Sequence, residues 1–506
     1  MRVTARLLRR FGDRRHDCPV STKNTAVASH PAAATSSIDK FFHVSERGST
    51  VGQEVRGGFV TFFAMAYILV VNPIILSTTL PEDAGFGFGD IAAGTALVAG
   101  IVTILMGLVA NFPLSLAAGM GLNAVVAFTL VGGSGLTYQE AMGLIVWEGI
   151  LITVLVLTGF REAVFKAVPR QLKTAISVGI GLFIAFVGLI NAGIIRPGGT
   201  PVQLGVNGSL AGWPAFVFVI GLILTIVLYI RKVRGAILIG LLSSTVVAMI
   251  LQALLHIPAM KDETGAVVNP TGWGQTIPEI TGSLVSLPSF GSLFQVDMFG
   301  AFAKLGPIAV VLLIFSLMLA DFFDTMGTMV AIGGEAKLLD EHGNPPKSRE
   351  ILLIDSLAAI AGGVGGVSSN TSYIESSAGV GEGARTGLAS VVTGLLFLAS
   401  TFLAPVVELV PTEAASTALV FVGFLMMMQV AEIDWSKAEI AIPAFLTIAF
   451  MPFAYSITVG IGIGFITYTV IRIAKGEAGK VHGLMWLTSA LFIVYFLLGP
   501  IQALFA

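Results

Sequence analysis

VGGVSSNTSYIESSAGVGEG, residues 364–383, is a polar, glycine-rich run set between two apolar segments. Ser368, Ser369, Asn370, Thr371 and Ser372 make poor helix and poor lipid-facing surface. Non-helical backbone at membrane depth is tolerated only where protein or a cavity covers it. The stretch after it, Ile374 to Val380, can begin a half-helix, with Glu375 near its N-terminus and near membrane mid-depth. There the positive end of the helix dipole favours the carboxylate, and free backbone N–H groups point at a ligand. A loop with a capping Glu is the plainer alternative, and the apolar flanks on both sides weigh against it.

A matching interruption lies earlier in the chain. LSLAAGMGLNAVVAFTLV (114–131) is also short and glycine-rich, and carries one strongly polar side chain, Asn123. An amide both donates and accepts, so Asn123 suits a neutral heterocycle; an interhelical hydrogen bond explains it equally well. The polar loop 256–306 separates the two runs, and the segments 169–189 and 411–431 also look alike. Paired, glycine-interrupted segments at matching places in two halves are the sequence signature of a transporter site.

Composition supplies the bilayer. Hydrophobic residues make up 55% of the 506 and charged residues 11%, with a mean hydropathy of +0.90; a soluble domain carries about 25% charged residues. A net charge of −2 argues against nucleic acid as a partner. The single cysteine, Cys18, rules out a disulfide framework and a thiolate metal site. Residues 1–50 stand apart: Arg2, Arg6, Arg9, Arg10, Arg14 and Arg15 precede a Ser/Thr/Ala-rich stretch, without the apolar core of a signal peptide. An organelle transit peptide shares this composition, and a disordered cytoplasmic tail is the expectation.

Apolar segments near 57–78, 90–111, 114–131, 138–159, 172–194, 212–230, 234–255, 307–332, 350–364, 366–381, 386–408, 412–431, 438–473 and 484–505 recur along the chain. They give about fourteen elements, some shorter than the ~20 residues a simple spanning helix needs. Lys and Arg in short loops set orientation. If every segment crosses, Arg161 to Lys173, Arg231 to Arg234 and Lys337 to Arg349 share the side of the basic N-terminus, which is then cytoplasmic. Arg472, Lys475 and Lys480 break the pattern unless 438–473, with Pro452 in its middle, enters and returns.

The segment PIAVVLLIFSLMLADFFDTMGTMVAIGG (307–334) carries two acids, Asp321 and Asp324, three residues apart on one helix face. A charged side chain at the bilayer centre costs roughly 2.5–3.5 kcal/mol even on the mild insertion scale, so such acids mark sites. One ligand-facing carboxylate and one structural or coupling carboxylate are expected. Asp355, in ILLIDSLAAIAGG, is a further acid in an apolar run, as suited to holding the polar element in place as to binding. Other patterns are decoys. Gly87-Phe88-Gly89-Asp90 spells an intramembrane protease motif but falls at a segment boundary, where Asp90 serves as a helix cap. Gly362–Gly366 lacks the strand–turn–helix context of a dinucleotide loop. The six histidines form no metal-spaced pair, so no metal and no cofactor is expected.

At these motifs the chain resembles the adenine/guanine/hypoxanthine permeases, the AzgA-like branch of the nucleobase–cation symporters that include uracil and xanthine permeases. The resemblance covers 41–505 and rests on VRGGFVTFFAMAYILVVNPIIL (55–76), AGMGLNAVVAF (118–128), DFFDTMGTMVAIGGEAKLLD (321–340) and SSNTSYIESSAGVGEGARTGLASVVTGLLF (368–397). It implies an all-α polytopic membrane protein, a seven-plus-seven inverted repeat with short strands in elements three and ten. A core domain (51–160 and 307–408) would carry substrate against a gate domain (161–255 and 409–506) that forms a homodimer, with 256–306 extracytoplasmic. Carried over residue by residue, Asn123, Asp324 and Glu375 match the polar binding positions, and Asp355 matches an acid important for transport. Phe322 and Phe323 are ring-contact candidates by position; Asp321 stands beside the site.

The resulting expectation is a multi-pass transporter of the plasma or inner membrane, not an enzyme, importing guanine, hypoxanthine and adenine by proton symport with elevator-type alternating access. Uracil, xanthine or an inorganic anion on the same fold is the alternative substrate. A membrane-embedded aspartyl hydrolase needs two acids on facing helices, whereas Asp321 and Asp324 share one. A channel suits broken helices with buried acids least.

Overall fold

The computed structural model describes residues 36–505 apart from 82–83, 159–167, 199, 262–266, 275, 281 and 342–343, and apart from the side chains of Phe323 and of residues 498–505. Among the described residues, ten helices are long and apolar enough to cross a bilayer, and three shorter apolar helices accompany them.

A short helix α1 (Ser37–Phe42) leads into α2 (Val51–Met65), α3 (Ile68–Ser77) and α4 (Phe88–Leu105), which continues as a π turn. Strand β1 (Leu116–Ala118) then enters α5 (Met120–Ala124), itself extended by a π-helical stretch to Gly133. Next come α6 (Tyr138–Thr158), α7 (Arg170–Asn191), a small hairpin of β2 (Ile195–Arg196) and β3 (Gln203–Leu204), α8 (Trp213–Ile230) and α9 (Ala236–Leu255). The second half holds α10 (Pro307–Glu335), α11 (Ser348–Val364), β4 (Asn370–Ser372), α12 (Ser376–Gly381), α13 (Gly387–Ser400) and α14 (Thr412–Met427). It closes with α15 (Ala438–Phe453), α16 (Ile457–Ala474) and α17 (Gly483–Phe505).

Glycine contacts reveal the symmetry. Where α4 crosses α13, a Cβ on Gly107 would lie 2.4 Å from the Gly387 carbonyl, and one on Gly394 would lie 2.6 Å from the Gly100 carbonyl. Where α6 crosses α11, a Cβ on Gly363 would lie 3.0 Å from the Met142 carbonyl, and one on Gly149 3.0 Å from the Ser356 carbonyl. Both pairs run antiparallel, and exchanging each element for its counterpart seven elements away turns one pair into the other. Two further pairs map onto themselves: α7 with α14, through Gly181 and Gly423, and β1 with β4. Close approach through small residues is the usual packing of membrane helices, and this pattern is that of an inverted repeat.

One sequence expectation changes, and one question the sequence left open is decided. The tail expected to be disordered through residue 50 is ordered from residue 36. Asp39 accepts from the Ser45 N–H (2.8 Å) and hydroxyl (2.7 Å), Asn111 donates to the Phe42 carbonyl (2.8 Å), and Phe42 and Val44 are buried. The basic stretch 1–35 lies outside the described residues. The segment 438–473 is two helices, not one. Gly460 faces Met451 and Gly464 faces Thr447, so α15 and α16 form an antiparallel hairpin. Lys475 consequently pairs with Glu439 (3.0 Å) at the hairpin's base. That base adjoins the N-terminal end of α7, since Arg170 pairs with Glu432 (3.5 Å) and Asp434 N–H donates to Gln171 (2.8 Å). The enter-and-return path removes the exception to the charge pattern.

The loop 256–306 covers the opposite face. Asp90 accepts from the Gly87 N–H (2.8 Å), closing the start of α4, and its other oxygen accepts from Ser289 (2.5 Å) and Gly291 (2.8 Å). It is the third helical residue of a capping arrangement, not the N-cap itself.

Candidate functional site

β1 and β4 pair antiparallel, with Leu116 opposite Ser372, Ala117 opposite Thr371 and Ala118 opposite Asn370. The pairing satisfies backbone groups that neither broken element could satisfy alone in lipid. Gly119 N–H donates to the Ser369 carbonyl (2.8 Å), Tyr373 N–H to the Ser115 carbonyl (3.0 Å), and the Tyr373 hydroxyl to the Ala118 carbonyl (2.5 Å). The two interruptions identified in sequence thus form one unit.

Glu375 sits just before α12, as expected, but does not cap it. The N–H groups of Ser376, Ser377 and Ala378 bond back to the carbonyls of residues 373–375, so the free donors expected there are already used. Its carboxylate instead accepts a 2.5 Å hydrogen bond from the Tyr67 hydroxyl. Tyr67 stands at the break between α2 and α3 and is buried. Asp324, on α10, faces Glu375 and Tyr373.

Asp324 is exposed although it lies mid-helix in a spanning element. Gly327, Ala331, Gly334 and Glu335 continue the same exposed stripe toward the end of α10 that precedes Lys337, while Ala320, Leu317 and Leu313, on the same face the other way, are buried. A Cβ built on Gly327 meets nothing within 4 Å. The site is therefore open toward the side of the basic loops and closed toward the side of loop 256–306.

Asn123 lies wholly buried on the π-extended α5, and neither end of its amide has a protein partner. A buried amide without partners is rare in a native fold unless something else engages it. Phe322 is 2% exposed and points away from Asp324, since two helical residues turn the side chain by about 200°. It belongs to the helix-packed core in this conformation; the side chain of Phe323 lies outside the described residues. Partly exposed rings come instead from Phe128, one π turn beyond Asn123, and Tyr455, at the tip of the α15–α16 hairpin, with centroids 5.4 Å apart. Phe183 and Phe186 of α7 join Tyr455 at 5.3 and 6.2 Å.

Behind the pocket, Asp355 accepts from Thr325 (2.8 Å) and Ser372 (2.8 Å), and Thr325 also meets the Thr371 hydroxyl at 2.9 Å. These bonds tie α11 to α10 and to β4. Asp321 turns away from the pocket toward Glu148 of α6. Glu148, Tyr67, Phe128 and Tyr455 are absent from the sequence-derived candidates. Glu148 was findable by the rule that singled out Asp321, because AMGLIVWEGILITVLVLTG (141–159) is apolar around one acid. No group of three or more His, Cys, Asp or Glu among the described residues has metal-site geometry.

Spanning helices around a half-open polar pocket, built from two broken elements, define a membrane carrier. The family model Xan_ur_permease, described as "Permease family", matches residues 52–467, and the chain belongs to that family. It is 39% identical to the guanine/hypoxanthine permease PbuG of Bacillus subtilis, over 90% of this chain and 99% of that protein. It is 36% identical to the adenine permease AdeP of Escherichia coli, over 90% and 95% of the two chains. The fold is shared with the transmembrane domain of a cyanobacterium bicarbonate transporter, BicA (TM-score 0.53, 14% identity, 84% of this chain and 96% of that one). It is also shared with the murine anion transporter Slc26a9 in its inward-facing state (TM-score 0.59, 11% identity, 84% and 68%).

Proposed function

We propose that this chain imports purine nucleobases, namely guanine, hypoxanthine and adenine, by proton symport. The observation that carries the proposal is the pairing of Asp324 and Glu375 at an accessible pocket between the two strand-broken elements. A 6-oxopurine presents an N1–H donor beside its carbonyl. The Glu375 carboxylate can accept from that N–H, and Asp324 from the imidazole-side N–H. The Asn123 amide can serve the carbonyl, and Phe128 and Tyr455 can cover a ring face. The relatives named as purine permeases support this substrate class. The fold neighbours named for bicarbonate and anions do not, because two carboxylates at the pocket would repel an anion.

Alternating access would be elevator-like. A core of 51–160 and 307–408 carries the pocket past a gate of 161–255 and 409–506, two copies of which would meet in a homodimer. The internal glycine contacts of each group support movement as rigid bodies, and the stripe from Asp324 to Glu335 supports an inward-open state. The protein would sit in the plasma or inner membrane with its N-terminus cytoplasmic, the side toward which the basic loops face.

The test is uptake of radiolabelled hypoxanthine in cells lacking their own base permeases, with purines, uracil, xanthine and sulfate as competitors and with a protonophore. Competition by guanine, hypoxanthine and adenine but not by xanthine, uracil or sulfate is expected, with collapse of uptake by protonophore. Normal uptake by both Glu375→Gln and Asp324→Asn would overturn the site assignment.

A further inference from the structure

Glu148 on α6, Asp321 on α10 and Asp355 on α11 converge inside the helix bundle, 0%, 1% and 2% exposed. They differ in how they are held. Both oxygens of Asp355 accept hydroxyl hydrogen bonds, from Thr325 and Ser372. All four oxygens of Glu148 and Asp321 lack a hydrogen bond of ordinary geometry, although the two carboxyl groups lie against each other. Ser369, at the approach to β4, is 0% exposed; its Oγ also has no such bond and faces Glu148. A purely structural acid in a dry core would be bonded as Asp355 is. Two orphaned carboxyl groups with an orphaned hydroxyl aimed at them form a place built for a small cationic occupant.

We propose that Glu148 and Asp321, with Ser369, hold the coupling proton, at a site separate from the nucleobase pocket and backed by Asp355. The groups facing it are Asp355 from α11, Asp324 from α10 and Thr371 from β4; Glu375, Tyr67 and Tyr373 lie on the pocket side of Asp324. No Lys, Arg or His among the described residues pairs with any of these acids. Like charges this close cannot all stay ionised without a compensating cation. The route is short: Asp321 neighbours both Asp324, which the pocket exposes, and Glu148, which it does not. A proton from pocket water forms an O–H bond at Asp324, passes to the Glu148–Asp321 pair, and leaves by the same route once the pocket faces the other side. The only bond made or broken is O–H. The link to substrate is mechanical: Asp355 holds β4 through Ser372, and Thr325 bridges Asp355 to Thr371. The charge of the acid group thus acts on the strand that shapes the pocket.

This rests on the proposal of proton-coupled purine transport, and two measurements on the full-length protein separate them. The first needs no purine. Infrared difference spectra over a pH titration should show a carbonyl stretch from protonated buried carboxylic acid, diminished in both Glu148→Gln and Asp321→Asn. An unchanged band in both variants overturns the site, whatever the substrate. The second uses proteoliposomes loaded with a pH-sensitive dye. With one proton carried per purine, one pH unit supports about tenfold accumulation of hypoxanthine. Glu148→Gln should retain purine counterflow, which also shows that it is folded, but accumulate no hypoxanthine above equilibrium and give no purine-induced dye signal. Wild-type-like accumulation and dye signal in that variant overturn the proposal. So does wild-type accumulation driven by a sodium gradient with a silent dye. Wild-type protein that exchanges no purine would instead refute the substrate assignment and leave the infrared result to decide the proton site.

Discussion

β1 with α5 and β4 with α12 are built alike: three strand residues, a short helix, and a place on the pseudo-two-fold axis. Their side chains and neighbours are not alike. The first is apolar except for Asn123, while the second carries a run of Ser, Thr and Asn followed by Glu375. The first presses on the other helix group, since a Cβ on Gly121 would lie 2.6 Å from a methyl of Ile180 on α7. The second presses on its own group, since a Cβ on Gly379 would lie 2.5 Å from the Gly57 carbonyl on α2. The backbone symmetry is what a duplicated fold must keep to satisfy its strands. The chemistry is free to differ, so the polar and charged side chains are concentrated in the second half and the contact with α7 in the first.

The contrast can be broken most easily at Glu375. Replacing it by Gln removes a charged acceptor from substrate, a loss of about 3 kcal/mol or about a hundredfold in hypoxanthine affinity, read by equilibrium binding to purified protein. Gly379→Val should come next. It forces a side chain against α2 backbone and should lower stability by about 1–3 kcal/mol, seen as a fall in thermal midpoint. Gly121→Ala meets only a side-chain methyl, and should leave the midpoint unchanged while slowing transport. If Gly121→Ala unfolds the protein and Gly379→Val does not, the assignment of the two elements to different interfaces is wrong. Asn123→Ala removes an amide that has no protein partner to lose; about a tenfold loss of affinity is expected, close to one hydrogen bond, with no change in thermal midpoint. A drop in midpoint without a drop in affinity would mark Asn123 as structural. The smallest effect belongs to Tyr67→Phe, which deletes one donor to Glu375 and should weaken binding about threefold to tenfold. Tyr67→Phe in the Glu375→Gln background should add little, because the two act through one bond.

Much of the candidate site was legible because its signals are local. An acid in an apolar run is conspicuous wherever it sits, which singled out Asp321, Asp324, Asp355 and Glu375. Glu148 obeys the same rule and was passed over. The rest was not local. Tyr67 is one aromatic among many until α2 breaks beside it and brings its hydroxyl to Glu375, 308 residues away. Phe322 and Phe323 follow Asp321 in the chain and so suggested ring contacts. Helical rotation sends Phe322 into the core, and Phe128 and Tyr455 present partly exposed rings instead. The α15–α16 turn at Tyr455 could be suspected from Pro452 and the misplaced basic residues, but only antiparallel contacts such as Gly464 with Thr447 distinguish a hairpin from one crossing.

Sequence by itself determined that this chain lives in a bilayer, that two matching interruptions break its helices, and which acids the membrane would not carry idly. Those conclusions follow from transfer energies and backbone hydrogen bonding, which act residue by residue. Tertiary structure alone decided which acids share a pocket. Asp321 and Asp324 are nearly indistinguishable in sequence, three residues apart on one helix face. One meets Glu375 at an open groove and the other meets Glu148 in a closed core, because helices far apart in the chain pack against α10 on either side of that small angle.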